Sequence, residues 1–501
     1  MLRKLAGQTA VYGISSIVAR LLNYLLTPYL TRIMSPAEYG VITDMYALIP
    51  FALVVLTFGM ETGYFRFAGR ASSPEEKKKV FSTTWAAVSY AALAFLALAL
   101  LFLKPVAAAT GYAAHPSYIW MVAAIIALDV VTAIPFARLR EEGRAGRFVL
   151  VRVASVVINV ALCIFCYAAL PRLAASGGPF APLWNPDFGA GYVFAANLAA
   201  SFATLLLLLP SCRGSLPRID RKLLRTILVY SFPLLLSGIA GTANEFIDRQ
   251  MIKYLMPPDE AMGALGIYGA VVKIGVVLML FTQMYRLAAE PFFLMGFDKK
   301  DFVRTNAEAL KYFVIVSVAI FLVIALFADL FALIVGADFR QGIFILPVVL
   351  LANILSGVVL NLSFWYKQAD ATRYAIYVTG FGLLLTVGFN LALVPWQGYA
   401  GAAWARLLCN AGMAGMSYYL NRKYYPTPYD LPRIGSYFLL GAALYGAGLC
   451  TAHLPVLPRY LLDAGFVALF TLYAVRRERI DVGGLVRSVL HRKQTINDKN
   501  P

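Results

Sequence analysis

The chain has 501 residues, of which 60% are hydrophobic and only 14% charged, with a net charge of +18 and a mean hydropathy of +0.71. A water-soluble domain of this length would carry about 25% charged residues, so the composition excludes one. The surplus of basic residues follows the topology described below and is not a nucleic-acid footprint.

A bilayer core takes about 20 apolar residues per helix. Fourteen such runs are expected, at 8–30, 39–62, 80–103, 117–138, 148–170, 189–210, 226–247, 264–285, 311–332, 341–364, 374–394, 397–420, 433–452 and 458–475. The longest stretch between two runs, 286–310, leaves no room for a soluble domain. The expected class is an all-α integral membrane protein.

The first run follows MLRKLAGQTA and lacks the short apolar core and small-residue cleavage site of a secretory signal, so it is expected to stay as an anchor. Arg20 lies inside it. TRIMSPAEYG (31–40) then turns the chain: Ser35 and Glu38 make an S-x-x-E capping box, Pro36 suits the first helical position, and Gly40 admits a close neighbour. Glu38 and Arg32 therefore read as turn and interface residues and not as catalytic ones. Asp44 falls in the second run, Asp129 in the fourth, and Arg152 near a cytoplasmic end of the fifth, as a snorkelling anchor. Cys163 and Cys166 form a CxxC inside an apolar run, where cysteine acts as a small hydrophobe. The three histidines, His115, His453 and His491, are scattered, so no metal or cofactor is expected.

The basic loop SCRGSLPRIDRKLLR (211–225) separates the sixth run from the seventh. Glu245 and Asp248 sit near the end of the seventh. MPPDE (256–260) then echoes MSPAE (34–38); each follows a helix and precedes a Gly-containing run. The two copies are six helices apart, which keeps their orientation, as in the parallel repeats of transporters. This predicts an N-lobe at 1–210, an inter-lobe loop at 211–225, a C-lobe at 226–421, two added helices within 433–475 and a basic tail at 476–501.

With the N-terminus inside, 33 of the 44 Lys and Arg fall in cytoplasmic segments and seven in outside loops. That bias obeys the positive-inside rule and places both termini in the cytoplasm. Arg20, Lys273 and Arg406 lie well inside spans. Each would cost at least about 2.5–3.5 kcal/mol facing lipid. They are therefore expected to line a water-filled cavity between the lobes, one that selects an anionic substrate through charge-assisted hydrogen bonds. Asp44, Asp129, Glu245 and Asp248 are assigned to charge balance or to ion coupling, and Arg286 with Glu290 to a simple i, i+4 pair.

LLNYLLTPYLTRIMSPAEYGVITDM (21–45) resembles the amino-terminal signature of the polysaccharide flippases: TP, then TR, two apolar residues, SP, one residue, EYG. YSFPLLLSGIAGTANEFIDRQMI (230–252) is similar to their seventh-helix pattern, with Pro near the start and Asp-Arg near the end. The resemblance is to Wzx-type flippases of the MATE-like superfamily, the multidrug/oligosaccharidyl-lipid/polysaccharide exporters. It implies alternating access, in which a lipid-linked oligosaccharide of the undecaprenyl pyrophosphate type crosses from inner to outer leaflet for O-antigen, capsule or exopolysaccharide assembly. It also implies a bacterial inner membrane, H+ or Na+ as coupling ion, membrane lipids and polysaccharide polymerase machinery as partners, and no enzymatic activity. An arginine in the first helix of lipid II flippase relatives makes Arg20 the matching candidate here. The alternatives are a lipid II flippase, a cation-coupled multidrug antiporter of the same fold, and a membrane polysaccharide polymerase or ligase. The last is disfavoured because the longest outside loop, 171–188, holds no His, no Arg cluster and one acid.

Overall fold

The computed structural model describes residues 24–176, 181–213, 218–294, 299–369, 371 and 373–479, and every regular element among them is a helix. The principal ones are α1 (Leu26–Ile33), α2 (Pro36–Thr57), α3 (Met60–Arg70), α4 (Pro74–Leu101), α5 (Pro116–Glu141), α6 (Ala145–Ile164), α7 (Gly191–Leu208) and α8 (Arg221–Leu255). There follow α9 (Pro258–Ile274), α10 (Val276–Leu294), α11 (Lys299–Leu326), α12 (Leu346–Leu362), α13 (Arg373–Gln397), α14 (Tyr399–Tyr424), α15 (Leu431–Cys450) and α16 (Val456–Arg477).

Helices occupy the second to fourteenth expected spans. Among the described residues, however, ten are long and apolar enough to cross a membrane, or up to eleven if the bent pair α9–α10 is one span. The expected count of fourteen is not reached. Most of the first run lies outside the described residues, and α14 and α15 are long enough to span but less apolar than the other ten. In α14 the reason is visible, because Arg406 and Asn410 interrupt a stretch otherwise rich in small residues.

The turn at 31–40 forms as its chemistry dictates. Glu38 donates its backbone N–H to Ser35 Oγ (3.3 Å), and Glu38 Oε2 accepts the Ser35 backbone N–H (2.9 Å), closing the capping box. The MPPDE copy starts α9 differently. It has Pro258 in the first turn and Asp259 and Glu260 against the helix dipole, without a side-chain cap. The two copies then meet in space, because α2 and α9 cross near their N-terminal ends. A Cβ on Gly40 would overlap the Met262 carbonyl, and one on Gly266 would overlap the Pro36 carbonyl, so the two backbones touch.

A second seam joins the halves. α8 runs along α2 and α3, with Ile227 and Ser231 against Gly63 and Gly59 at one end, Gly238 against Val54 midway, and Gln250 and Lys253 on Asp44 at the other. Gly59, at φ +68°, and Phe58, at φ +50°, make the turn from α2 into α3. Within the N-half, α5 packs on α4 and α7; within the C-half, α14 packs on α12 and α13. α9 and α10 bend by 50° at Gly275. The Asn353 side-chain amide donates to the Gly275 carbonyl (3.3 Å) beside the break, and such a pairing is what broken helices at membrane depth need.

α15 and α16 dock on α11, and a carboxylate pins them. Glu478, just past α16, is 2.5 Å from Lys311 Nζ and 2.9 Å from Arg433 Nε, and accepts the Tyr437 hydroxyl at 2.6 Å. Burial alone would raise its pKa, but Lys311, Tyr437 and Arg433 more than offset that and hold it below the usual carboxylate value. Its stabilisation is thus present above the unfolded pKa and lost as pH falls through the lower folded one. Glu478→Gln should cost on the order of 3 kcal/mol at pH 7. Thermal melts should also show the variant losing less stability than wild type on acidification from about pH 5 to pH 3.

Candidate functional site

A cavity of about 280 Å³ lies within the C-half, between α8, α10, α12, α13 and α14. Its charged lining residues are Glu245, Arg286 and Arg406. Four carboxamides, Asn244, Gln283, Asn353 and Asn410, share the wall, with Thr282, Ser356 and Thr379 adding hydroxyls. The bend at Gly275 makes this possible. It lets α10 restart at Val276 and bring Thr282, Gln283 and Arg286 to one wall at helical spacing.

Arg406 is the most enclosed of these cations, with 14% of its side chain exposed. Its guanidinium is 3.4 Å from Asp248 Oδ2 and donates to the Glu245 carbonyl. Asp248 also accepts the Tyr268 hydroxyl (2.5 Å) and pairs with Arg249 (2.9 Å). Arg286 pairs with Glu290 as expected (3.2 Å), and Glu290 takes Lys367 as well (2.5 Å).

Lys273 sits elsewhere, at the last turn of α9, and reaches across the halves. It donates to the Tyr39 hydroxyl (2.8 Å), with its ammonium 5.0 Å from the centre of the Tyr39 ring. The cavity at Arg406 does not include Lys273, although their sequence positions suggested one cavity for both. It is walled by C-half helices alone. Arg20 lies outside the described residues.

The acids separate similarly. Asp44 is fully buried and accepts Tyr112 Oη (2.5 Å), Gln250 Nε2 (2.6 Å) and Lys253 Nζ (2.5 Å). Asp129 accepts the Ser201 hydroxyl (3.0 Å) within the N-half. Arg152 lies 4.1 Å over the Phe136 ring.

Lys253 and Arg249 read as outside-loop cations because hydropathy ends the seventh run at 247. α8 in fact continues to Leu255, and both side chains are largely buried on it, 11% and 12% exposed. The carboxamides were missed altogether. Their signal was present, since Asn353 and Asn410 lie inside apolar runs, where amides normally bond to neighbouring helices.

The family model described as "Polysaccharide biosynthesis protein" matches residues 5–296. No curated protein sequence matches. Among solved structures, one titled "Lipid II flippase MurJ, inward closed conformation" superposes with a TM-score of 0.67 at 13% identity, over 94% of this chain and 100% of that one. A ligand complex of the MATE multidrug transporter DinF-BH gives a TM-score of 0.59 at 15% identity, over 85% and 96%. A MOP superfamily transporter from Pyrococcus furiosus, whose title describes a binding pocket of reversed polarity, gives 0.53 at 16% identity, over 84% and 94%. At these identities the likeness is one of fold.

Proposed function

Since the chain belongs to the polysaccharide biosynthesis protein family, and is a multi-pass membrane protein with the fold of the MOP flippases and exporters, we propose that it flips a lipid-linked oligosaccharide from the inner to the outer leaflet. The membrane is the bacterial inner membrane, both termini are cytoplasmic, and the two halves rock about the α2/α3–α8 seam. The end closed by the α2–α9 crossing is then the outer one, and the molecule is in a state closed to the outside. The observation that carries the substrate class is the placement of Lys273, a cation held inside an apolar bundle by the Tyr39 hydroxyl and with no carboxylate paired to it among the described residues. Such a group marks a substrate path, and an anion suits it.

The membrane potential favours this direction, since each negative charge moved outward gains about 2.3 kcal/mol per 100 mV. A pyrophosphate-linked lipid with about two charges would gain roughly 4–5 kcal/mol. H+ or Na+ as a coupling ion belongs to the same proposal, with Asp129 as its carboxylate. Asp44 and Asp248, each already ion-paired, balance charge. Arg20 would add a second cation to the path.

A lipid II flippase is the second reading, favoured by the MurJ superposition. Deleting the gene in its own host separates the two. Loss of surface polysaccharide with normal growth is expected here; lysis would favour lipid II and overturn the proposal.

A further inference from the structure

The C-half cavity has a lining that neither a phosphate nor a metal cation explains. A phosphate pocket would present uncompensated cations. Here Arg406 is already paired with Asp248 at 3.4 Å and Arg286 with Glu290 at 3.2 Å, while Glu245 adds a carboxylate to the wall. A cation would meet two guanidinium groups. What remains is a wall whose charges are largely paired and which is rich in groups that both donate and accept. Asn353 and Asn410 each give a side-chain N–H to a main-chain carbonyl, of Gly275 and Ala352, which leaves their amide oxygens for another partner. Among the described residues, the Gln283 amide and the Glu245 carboxylate have no hydrogen-bond partner. Both side chains are thus free to meet whatever occupies the cavity.

Hydroxyl groups, each donor and acceptor at once, match such a wall. Met279, Leu360 and Met413 supply the apolar strips that the C–H face of a ring needs. At about 280 Å³ the space is just below the roughly 300–1,000 Å³ of drug-sized ligand sites, which suits one ring and not an oligosaccharide. We propose that this cavity is a glycan subsite that holds one sugar ring of the headgroup, with Glu245, Gln283 and Arg286 on its hydroxyls. The assignment rests on the oligosaccharide-flippase reading and deepens it. The diphosphate is left to Lys273 and the path between the halves.

The test is saturation-transfer NMR on the full-length protein in nanodiscs, with methyl glucoside, methyl glucuronide and methyl N-acetylglucosaminide as separate millimolar probes. At least one should receive saturation, and Gln283→Leu and Glu245→Gln should each weaken it about tenfold, the effect of losing one hydrogen bond to the ring. Inorganic pyrophosphate should not displace it. Melting curves check that the variants fold, and Ser356→Ala replaces either one that does not. Saturation of none of the three, signals unchanged by the substitutions, or displacement by pyrophosphate would overturn the assignment. Glycoside binding without translocation of a lipid-linked oligosaccharide would sink the flippase reading and leave the subsite. Translocation indifferent to Gln283→Leu would do the reverse.

Discussion

Gly266→Val should abolish translocation by a protein that still inserts and folds. At the α2–α9 crossing the Gly266 Cα faces the Pro36 carbonyl and Gly40 faces that of Met262, so any side chain there meets backbone, which cannot rotate away. Overpacking a tight contact costs typically about 1–3 kcal/mol. At the upper end, that shifts the balance between states closed and open to the outside by more than about a hundredfold. Alternating access needs both states, so turnover should fall with the lost one. Spin labels on Ala37→Cys and Asp259→Cys, at the exposed starts of the two helices, report the crossing in an otherwise cysteine-free background. The wild type should show a short distance and Gly266→Val a longer one. Unchanged distances together with wild-type translocation would mean that the crossing is not a gate.

The second large effect is expected at Asp44. Its carboxylate is buried under three donors, and removing it with Asp44→Ala strands the Lys253 ammonium, which is only 11% exposed. An orphaned buried charge costs about 3–5 kcal/mol. Asp44→Leu combined with Lys253→Met removes both charges and should recover much of that loss, because a buried pair is often replaceable by apolar groups. Melting temperatures of the single and double variants form the cycle that measures the coupling. A double variant as unstable as the sum of the singles would show that the pair is not coupled.

The helices were legible because hydropathy and capping chemistry are local. Ser35, Pro36 and Glu38 announce the start of α2, and the structure forms that cap. The MSPAE and MPPDE echo was legible too, but its meaning was spatial: the two copies cross. Partners were not legible. Lys253 and Arg249 fall beyond the hydropathic edge of their run, since a helix face buried by other helices can be polar and still lie inside the bundle. Lys273 and Arg406 look alike in sequence, yet one bonds Tyr39 across the halves and the other Asp248 within one half. Asn353, Asn410 and Gln283 carry no charge to mark them in an apolar run, yet they define most of the cavity's chemistry.

The most direct measurement uses liposomes containing the purified protein, a lipid-linked oligosaccharide on pyrophosphate, and an analogue with a neutral headgroup. The wild type should flip the anionic lipid faster than the neutral one, more so with the lumen positive. Lys273→Ala should remove most of that preference. Equal rates for the two lipids, or a Lys273→Ala variant that flips the anionic lipid as well as wild type, would rule out a cationic path for the headgroup.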